Sequence, residues 1–328
     1  MSEAIFYKLA ALISVVALGW FVGRMRWLGQ PEPGGNDPAR VLSNAAFYLF
    51  VPALLFRTTA RLELAALPWL TLAGFFIPVL GLIVAVYFWQ RSRLRAGAPV
   101  ARPSVQAITV SFGNTLQIGV PLAASVFGET GLAIHITVVS LHALTILSLL
   151  TLLVELDLAR EQAEAQGSSL LSTLLATVRN TVIHPVVLPV LSGLVFNALG
   201  LRLPALLDEV LQLLGTAVVP LCLTLIGMSL AYYGWPAAWR SVVLLALLKL
   251  LLLPALVLGF AHGVLGVGGM PLAVIVMLAA LPSGSNALIF AQRYRCEEGE
   301  TTAAIVLSTL AFVLTAPLWL ALLSWMKF

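Results

Sequence analysis

The sequence predicts an all-α, polytopic membrane protein whose ten transmembrane helices form two five-helix repeats of inverted orientation. Three observations carry that expectation. First, 60% of the 328 residues are hydrophobic and only 10% are charged, far more apolar surface than a water-soluble domain can hide. Second, the apolar residues fall in continuous runs of about 20, the length that crosses a bilayer, and not in the alternating pattern of a β-barrel. Third, a shift of 168 residues carries Pro52 onto Pro220, Glu129 onto Glu297 and Ser140 onto Ser308, so separated parts of the two halves match.

In chain order the spans are expected at roughly 4–22, 41–57, 66–90, 103–127, 131–155, 172–199, 207–231, 239–262, 271–293 and 302–326. The first run lacks a basic leader and an A-x-A cleavage site, so it reads as a span and not as a signal peptide. The turn-rich stretch "QPEPGGNDP" links spans one and two. The organisation that follows is a first repeat over 1–156, a cytoplasmic linker over 157–170 and a second repeat over 171–328. Near the start of each half, Gly19 and Gly193 match at a shift of 174, the difference fitting the longer first loop. Five spans per half is an odd number, so the second half enters from the opposite side, an arrangement typical of secondary transporters. Chance likeness among Leu-, Val- and Pro-rich stretches is the competing explanation.

Loop charges orient the chain. Twelve basic residues, from Arg24 to Arg295, fall on one side, and five, Lys8, Arg57, Arg61, Arg202 and Lys327, on the other. The richer side is expected to be cytoplasmic, which puts both termini outside. The same scatter explains the net charge of +4 and the pI near 9.3, so nucleic acid is not an expected partner. The two cysteines, Cys222 and Cys296, give neither a metal spacing nor a disulfide framework, and no cofactor is expected.

Two spans are interrupted. Span four contains "SFGNTLQIGVPLAASVFG", with Asn114, Gln117, Gly119 and Pro121 in its middle; span nine contains "ALPSGSNALIFAQRY", with Pro282, Ser283, Ser285 and Asn286. Proline removes a backbone donor and crowds the preceding turn, so each helix should kink or unwind there. Opened backbone is tolerated at membrane depth only against protein or a watery cavity. Breaks at corresponding places in two halves point to a transport site. The second half-helices begin after Pro121 and near Ser285, and their positive ends favour an anion, particularly a carboxylate. Kinks for packing alone are the alternative.

At these residues the sequence resembles the auxin efflux carrier family, which includes plant exporters and bacterial organic-acid carriers. "GNTLQIGVPLAASVFGETG" and "LPSGSNALIFAQRY" are similar to that family's two crossover signatures, and "VPALLF" and "GMSLA" match as well. The likeness covers essentially the whole chain. It implies crossing broken helices four and nine, scaffold and transport domains each built from both repeats, and a homodimer formed through scaffold helices. Carried over position by position, Asn114 and Pro121 match the first crossover, and Pro282 and Asn286 the second. The chain lacks the long cytoplasmic loop of the plant exporters, so it resembles a bacterial, inner-membrane member.

Lys249, in "LLALLKLLLLPALVL" of span eight, is the one basic residue deep in an apolar run. Intramembrane charge is functional by default, and this one could neutralise an anion or fill a cation site; a snorkelling or structurally paired lysine is the rival reading. His142, His135 and His184 are weaker coupling candidates, since each is more often a packing histidine. All 14 Asp and Glu residues fall in loops or near span ends. Ser43, Asn44 and Pro52 of span two, with Thr216 and Pro220 of span seven, are expected to frame the pocket.

The leading reading is a secondary carrier, an efflux carrier or facilitator, for small organic anions, working by an elevator-like or rocking movement. A sodium- or proton-coupled symporter of the bile-acid type is the alternative. A membrane enzyme is disfavoured, because there is no H-E-x-x-H, no G-x-S-x-G and no paired intramembrane aspartates. A receptor or scaffold would not need two matched breaks.

Overall fold

The computed structural model describes residues 3–29, 38–61, 68–94, 97–166, 183, 185, 187–233 and 239–326. Among these residues every regular element is helical: α1 (Glu3–Arg24), α2 (Pro38–Ala60), α3 (Trp69–Arg91), α4 (Arg102–Ser111), α5 (Val120–Gln166), α6 (Val187–Ala198), α7 (Ala205–Tyr233), α8 (Trp239–Gly263), α9 (Gly269–Ala280), α10 (Asn286–Arg293) and α11 (Glu298–Trp325). Six of them, α2, α3, α5, α7, α8 and α11, are long and apolar enough to cross a membrane, and α1, α6 and α9 contain shorter apolar stretches. These six fall on the expected spans two, three, five, seven, eight and ten.

α5 bends at Gly128, whose φ of 64° and ψ of −162° lie outside helical space, so the chain turns there without a loop. The helix then runs on to Gln166, making residues 157–166 of the expected linker helical. His184 and residues 167–182 lie outside the described residues.

Proline shapes three further sites. Wide π turns cover Ala46–Phe50 in α2, Thr115–Gly119 ahead of α5, and Leu248–Leu252 in α8. Each ends two residues before a proline: Pro52, Pro121 and Pro254. A proline cannot donate to the carbonyl four residues earlier and crowds it, and a wider turn relieves the crowding. In α8 that carbonyl, on Leu250, is met by the indole N–H of Trp319 from α11 at 2.8 Å.

Elsewhere, bare backbone allows helices to touch. α1 packs along α7, and a Cβ added at Gly19 would overlap the Thr224 carbonyl oxygen; one added at Gly227 would overlap that of Val16. α2 packs on α6 in the same manner, with a Cβ at Gly193 falling 2.7 Å from the Phe56 carbonyl oxygen. Small residues at such seams let dispersion forces act over a close approach where lipid supplies no hydrophobic drive. The partners of the matched glycines, Phe56 and Thr224, are themselves 168 residues apart.

The ion pairs near the helix ends join residues that the loop charges assign to one side. Arg40 pairs with Glu298 at 2.6 Å, Arg102 with Glu297, and Arg91 with Asp157, whereas Arg57 pairs with Asp208 at 2.8 Å at the other end. Burial raises the Glu297 carboxyl above its usual range, against the lowering pull of Gln106 and Arg102.

Candidate functional site

α4 stops at Ser111, and Phe112 turns extended, with φ −80° and ψ 110°. α9 stops at Ala280, and Leu281 has ψ 149°. The second stop follows from Pro282, which disfavours helical geometry in the residue before it and has no N–H to offer. The two interruptions lie against each other as an antiparallel bridge between Gly113 and Ser283. The Asn114 amide donates to the Pro282 carbonyl and the Gly284 amide to the Phe112 carbonyl, each at 2.8 Å. Backbone groups freed by one break are thus satisfied by the other, as a water-poor setting demands.

Side chains lock the crossing. Ser283 donates from its hydroxyl to the Thr109 carbonyl at 2.7 Å, and its amide donates to the Ser308 hydroxyl at 3.1 Å. A Cβ on Gly284 would lie 2.7 Å from the Gly113 carbonyl oxygen, so only glycine lets the two segments meet. Gly113 itself has room, with no neighbour nearer than 3.5 Å. Gly119 is confined by the His135 ring and Leu281, each 2.7 Å from where its Cβ would be. His135 donates from Nε2 to the Thr115 carbonyl at 2.9 Å, which holds the π turn.

A cavity of about 230 Å³ opens beside the crossing. Its polar wall is Asn114, Thr115, Ser285, Asn286 and His142; its apolar wall comes from Leu54 and Leu55 of α2, Ile136 and Val139 of α5, and Val218 and Val219 of α7. No Asp, Glu, Lys or Arg is among the lining residues. Among the described residues neither the Asn114 nor the Asn286 carboxamide finds a hydrogen-bond partner. His142 is buried, its ring edge-on to Phe112 at 4.6 Å, and its Nε2 is likewise unpartnered. A second, apolar cavity of about 70 Å³ lies between α1, α7 and α11, and Asn114 borders it too.

The other anticipated residues fall as follows. Pro282 gives its carbonyl to the bridge, and Ser283 is wholly buried within it. Gln117 and Pro121 lie on the π turn and at the start of α5, with their side chains outside the described set. Ser43, Asn44, Pro52, Thr216 and Pro220 sit on α2 and α7, the helices that wall the cavity, but are not among its lining residues. There the wall is Leu54, Leu55, Thr58, Thr59, Val218 and Val219, whose only sequence signal is the 54/55/58/59 spacing that marks one helix face. Lys249 lies outside the cavity, fully buried, and donates from Nζ to the Ala279 carbonyl at 2.7 Å.

A helical bundle with several membrane-length helices and paired interruptions beside a cavity lined by no Asp, Glu, Lys or Arg has the features of a membrane carrier. The chain belongs to the membrane transport protein family, that of the auxin efflux carriers, whose model matches residues 4–320. It is 24% identical over 291 residues to an uncharacterized transporter of Methanothermobacter thermautotrophicus, covering 87% of this chain and 89% of that one. It is 27% identical over 327 residues to the uncharacterized transporter YfdV of Escherichia coli K12, covering 95% of each. The protein is therefore a multi-pass membrane transporter and not an enzyme.

Proposed function

We propose that the protein is a secondary transporter of small organic anions, carboxylates above all, working by alternating access around the crossing of the two interrupted segments. The observation that carries this reading is the Gly113–Ser283 bridge, which joins one break from each half of the chain at the wall of a single cavity. On the polar wall the helical turn from Thr115 and the helix from Asn286 both begin, so their positive ends favour a negative group. Asn114, Asn286 and Ser285, with His142, are the groups we assign to the cargo; Gln117, Gly119, Pro121, Pro282 and Ser283 shape the breaks. An acid-free wall is poor for a cation, which takes oxygen ligands and negative charge.

The same reading includes ten spans in a 5+5 inverted repeat, supported by the matched contacts Gly19–Thr224 and Gly193–Phe56. It includes an elevator-like or rocking movement of the broken-helix domain, a homodimer formed through the scaffold, and a bacterial inner-membrane location with both termini outside. Uniport driven by membrane potential is the first coupling mode of this reading, and proton coupling through His142, whose Nε2 is unpartnered among the described residues, is the second.

The test is uptake into proteoliposomes of mono- and dicarboxylates chosen by a thermal-stabilisation screen. Accumulation of at least one carboxylate is expected, and collapse of an imposed proton gradient separates the two coupling modes. If no organic anion either stabilises the protein or enters the vesicles, the reading is wrong. Cysteines introduced near Ser2 and Lys327 should react with an impermeant reagent from outside; protection of both in accessible protein would overturn the orientation.

A further inference from the structure

We propose that Lys249 supplies, as part of the chain, the positive charge that a coupling cation would otherwise bring to the crossing, so that cargo movement is not tied to sodium. This deepens the transport reading above and rests on it for the word cargo; the electrostatic claim about the crossing stands by itself.

The argument begins with carbonyls. In an unbroken helix the Ala279 oxygen would accept from the Ser283 amide, four residues on. Here that amide turns away to the Ser308 hydroxyl at 3.1 Å, and the freed oxygen is taken by the Lys249 ammonium at 2.7 Å. The ammonium also lies beside the first interruption: a Cβ at Gly113, two residues past the end of α4, would fall 3.6 Å from Nζ. The π turn that carries Lys249 packs against both α4 and α9. Two helix C-termini therefore converge on one ammonium. Each such end carries about half a negative elementary charge, so the pair is balanced by roughly one positive charge.

Carbonyl oxygens at the C-terminal ends of interrupted helices are also the ligands from which carriers build sodium sites. With Nζ already there, a second cation would meet like-charge repulsion at contact distance. The rival readings fit less well. A snorkelling lysine would reach the membrane interface, yet Lys249 has no exposed surface. A structural salt bridge needs an acid, and among the described residues no carboxylate pairs with it. The lysine turn is itself fixed by the Trp319 indole on the neighbouring Leu250 carbonyl.

Thermal stability of the purified full chain tests this, with sodium compared with choline at equal ionic strength. Wild-type protein should have the same Tm in both. Lys249→Ser, which frees space and adds an oxygen, and Lys249→Gln, which keeps length and adds an oxygen, should each lose stability in choline. Each should recover on the order of 2 °C or more in sodium, the size of shift a bound ligand gives a chain of this length. Sodium-specific stabilisation of the wild type, or neutral variants that sodium leaves unchanged, would overturn the proposal. Should neither variant fold, the wild-type comparison still decides between a filled and an open cation site. Because the readout is stability, failure of carboxylate uptake would remove the transport reading without touching this result.

Discussion

The crossing of the two interruptions and the seam between α1 and α7 both depend on glycine, but for opposite ends. At the seam the helices stay regular, and Gly19 and Gly227 remove side chains so that one backbone lies directly on another. At the crossing the helices stop, and Gly284 removes a side chain so that two non-helical segments can exchange hydrogen bonds. At the edge of the seam lies only the apolar cavity of about 70 Å³ shared with α11. Among the described residues the crossing leaves two carboxamides and an imidazole nitrogen unpartnered beside about 230 Å³ of space. Glycine in a membrane chain thus marks either a joint meant to stay closed or one meant to hold something, and its neighbours decide which.

That contrast breaks most readily at the seam. Gly227→Ala pushes a methyl into the Val16 carbonyl oxygen, part of a backbone that cannot yield as a side chain would. A destabilisation of about 3 kcal/mol, at the upper end for overpacking, is expected, read as a lowered Tm and reduced yield. Wild-type stability in that variant would mean the two helices are not in contact. At the crossing, Gly284→Ala meets the Gly113 oxygen at 2.7 Å while Gly113→Ala meets nothing nearer than 3.5 Å. The first should abolish uptake at a smaller stability cost, about 1–2 kcal/mol for a lost pair of backbone bonds, and the second should leave both nearly intact. Equal effects of the two would argue against the bridge register.

Asn114→Ala and Asn286→Ala sharpen the comparison further. Neither carboxamide holds the fold together among the described residues, so Tm should stay within about 1 °C while uptake falls roughly tenfold, the effect of losing about 1.4 kcal/mol of cargo hydrogen bonding. Normal uptake in stable protein would assign the cargo elsewhere. The smallest effect belongs to the control glycines, Gly81 and Gly259, around which no atom lies within 4 Å of an added Cβ. Alanine at either should be neutral or stabilising by about 0.5 kcal/mol, because it lowers the entropy lost on forming helix.

Much of the crossing could be read from the chain because its causes are local. Pro282 and the cluster of glycine and amide residues around Asn114 act on the backbone within a turn of themselves, so the breaks fall where those residues are. The apolar wall could not be read, since Leu54, Leu55, Val218 and Val219 look like any other lipid-compatible residues until α2 and α7 are folded against the crossing. Ser43, Asn44 and Pro52 are expected at the pocket on the strength of the repeat, yet Pro52 is absorbed by a π turn and α2 continues past it. Lys249 is conspicuous in its apolar run, but its partner is a carbonyl 30 residues away that only the break at Pro282 sets free.

The tie at the crossing is written in main-chain atoms. Its two hydrogen bonds run from the Asn114 and Gly284 amides to the Pro282 and Phe112 carbonyls, groups present whatever side chains those positions carry. Variation can therefore rework the polar wall, exchanging one amide or hydroxyl for another, without loosening the knot that holds the wall in position. The main-chain tie and the chemistry of the wall are separable here: the tie requires a bare α-carbon at Gly284, while the amides and hydroxyls that face the cavity can vary without touching it.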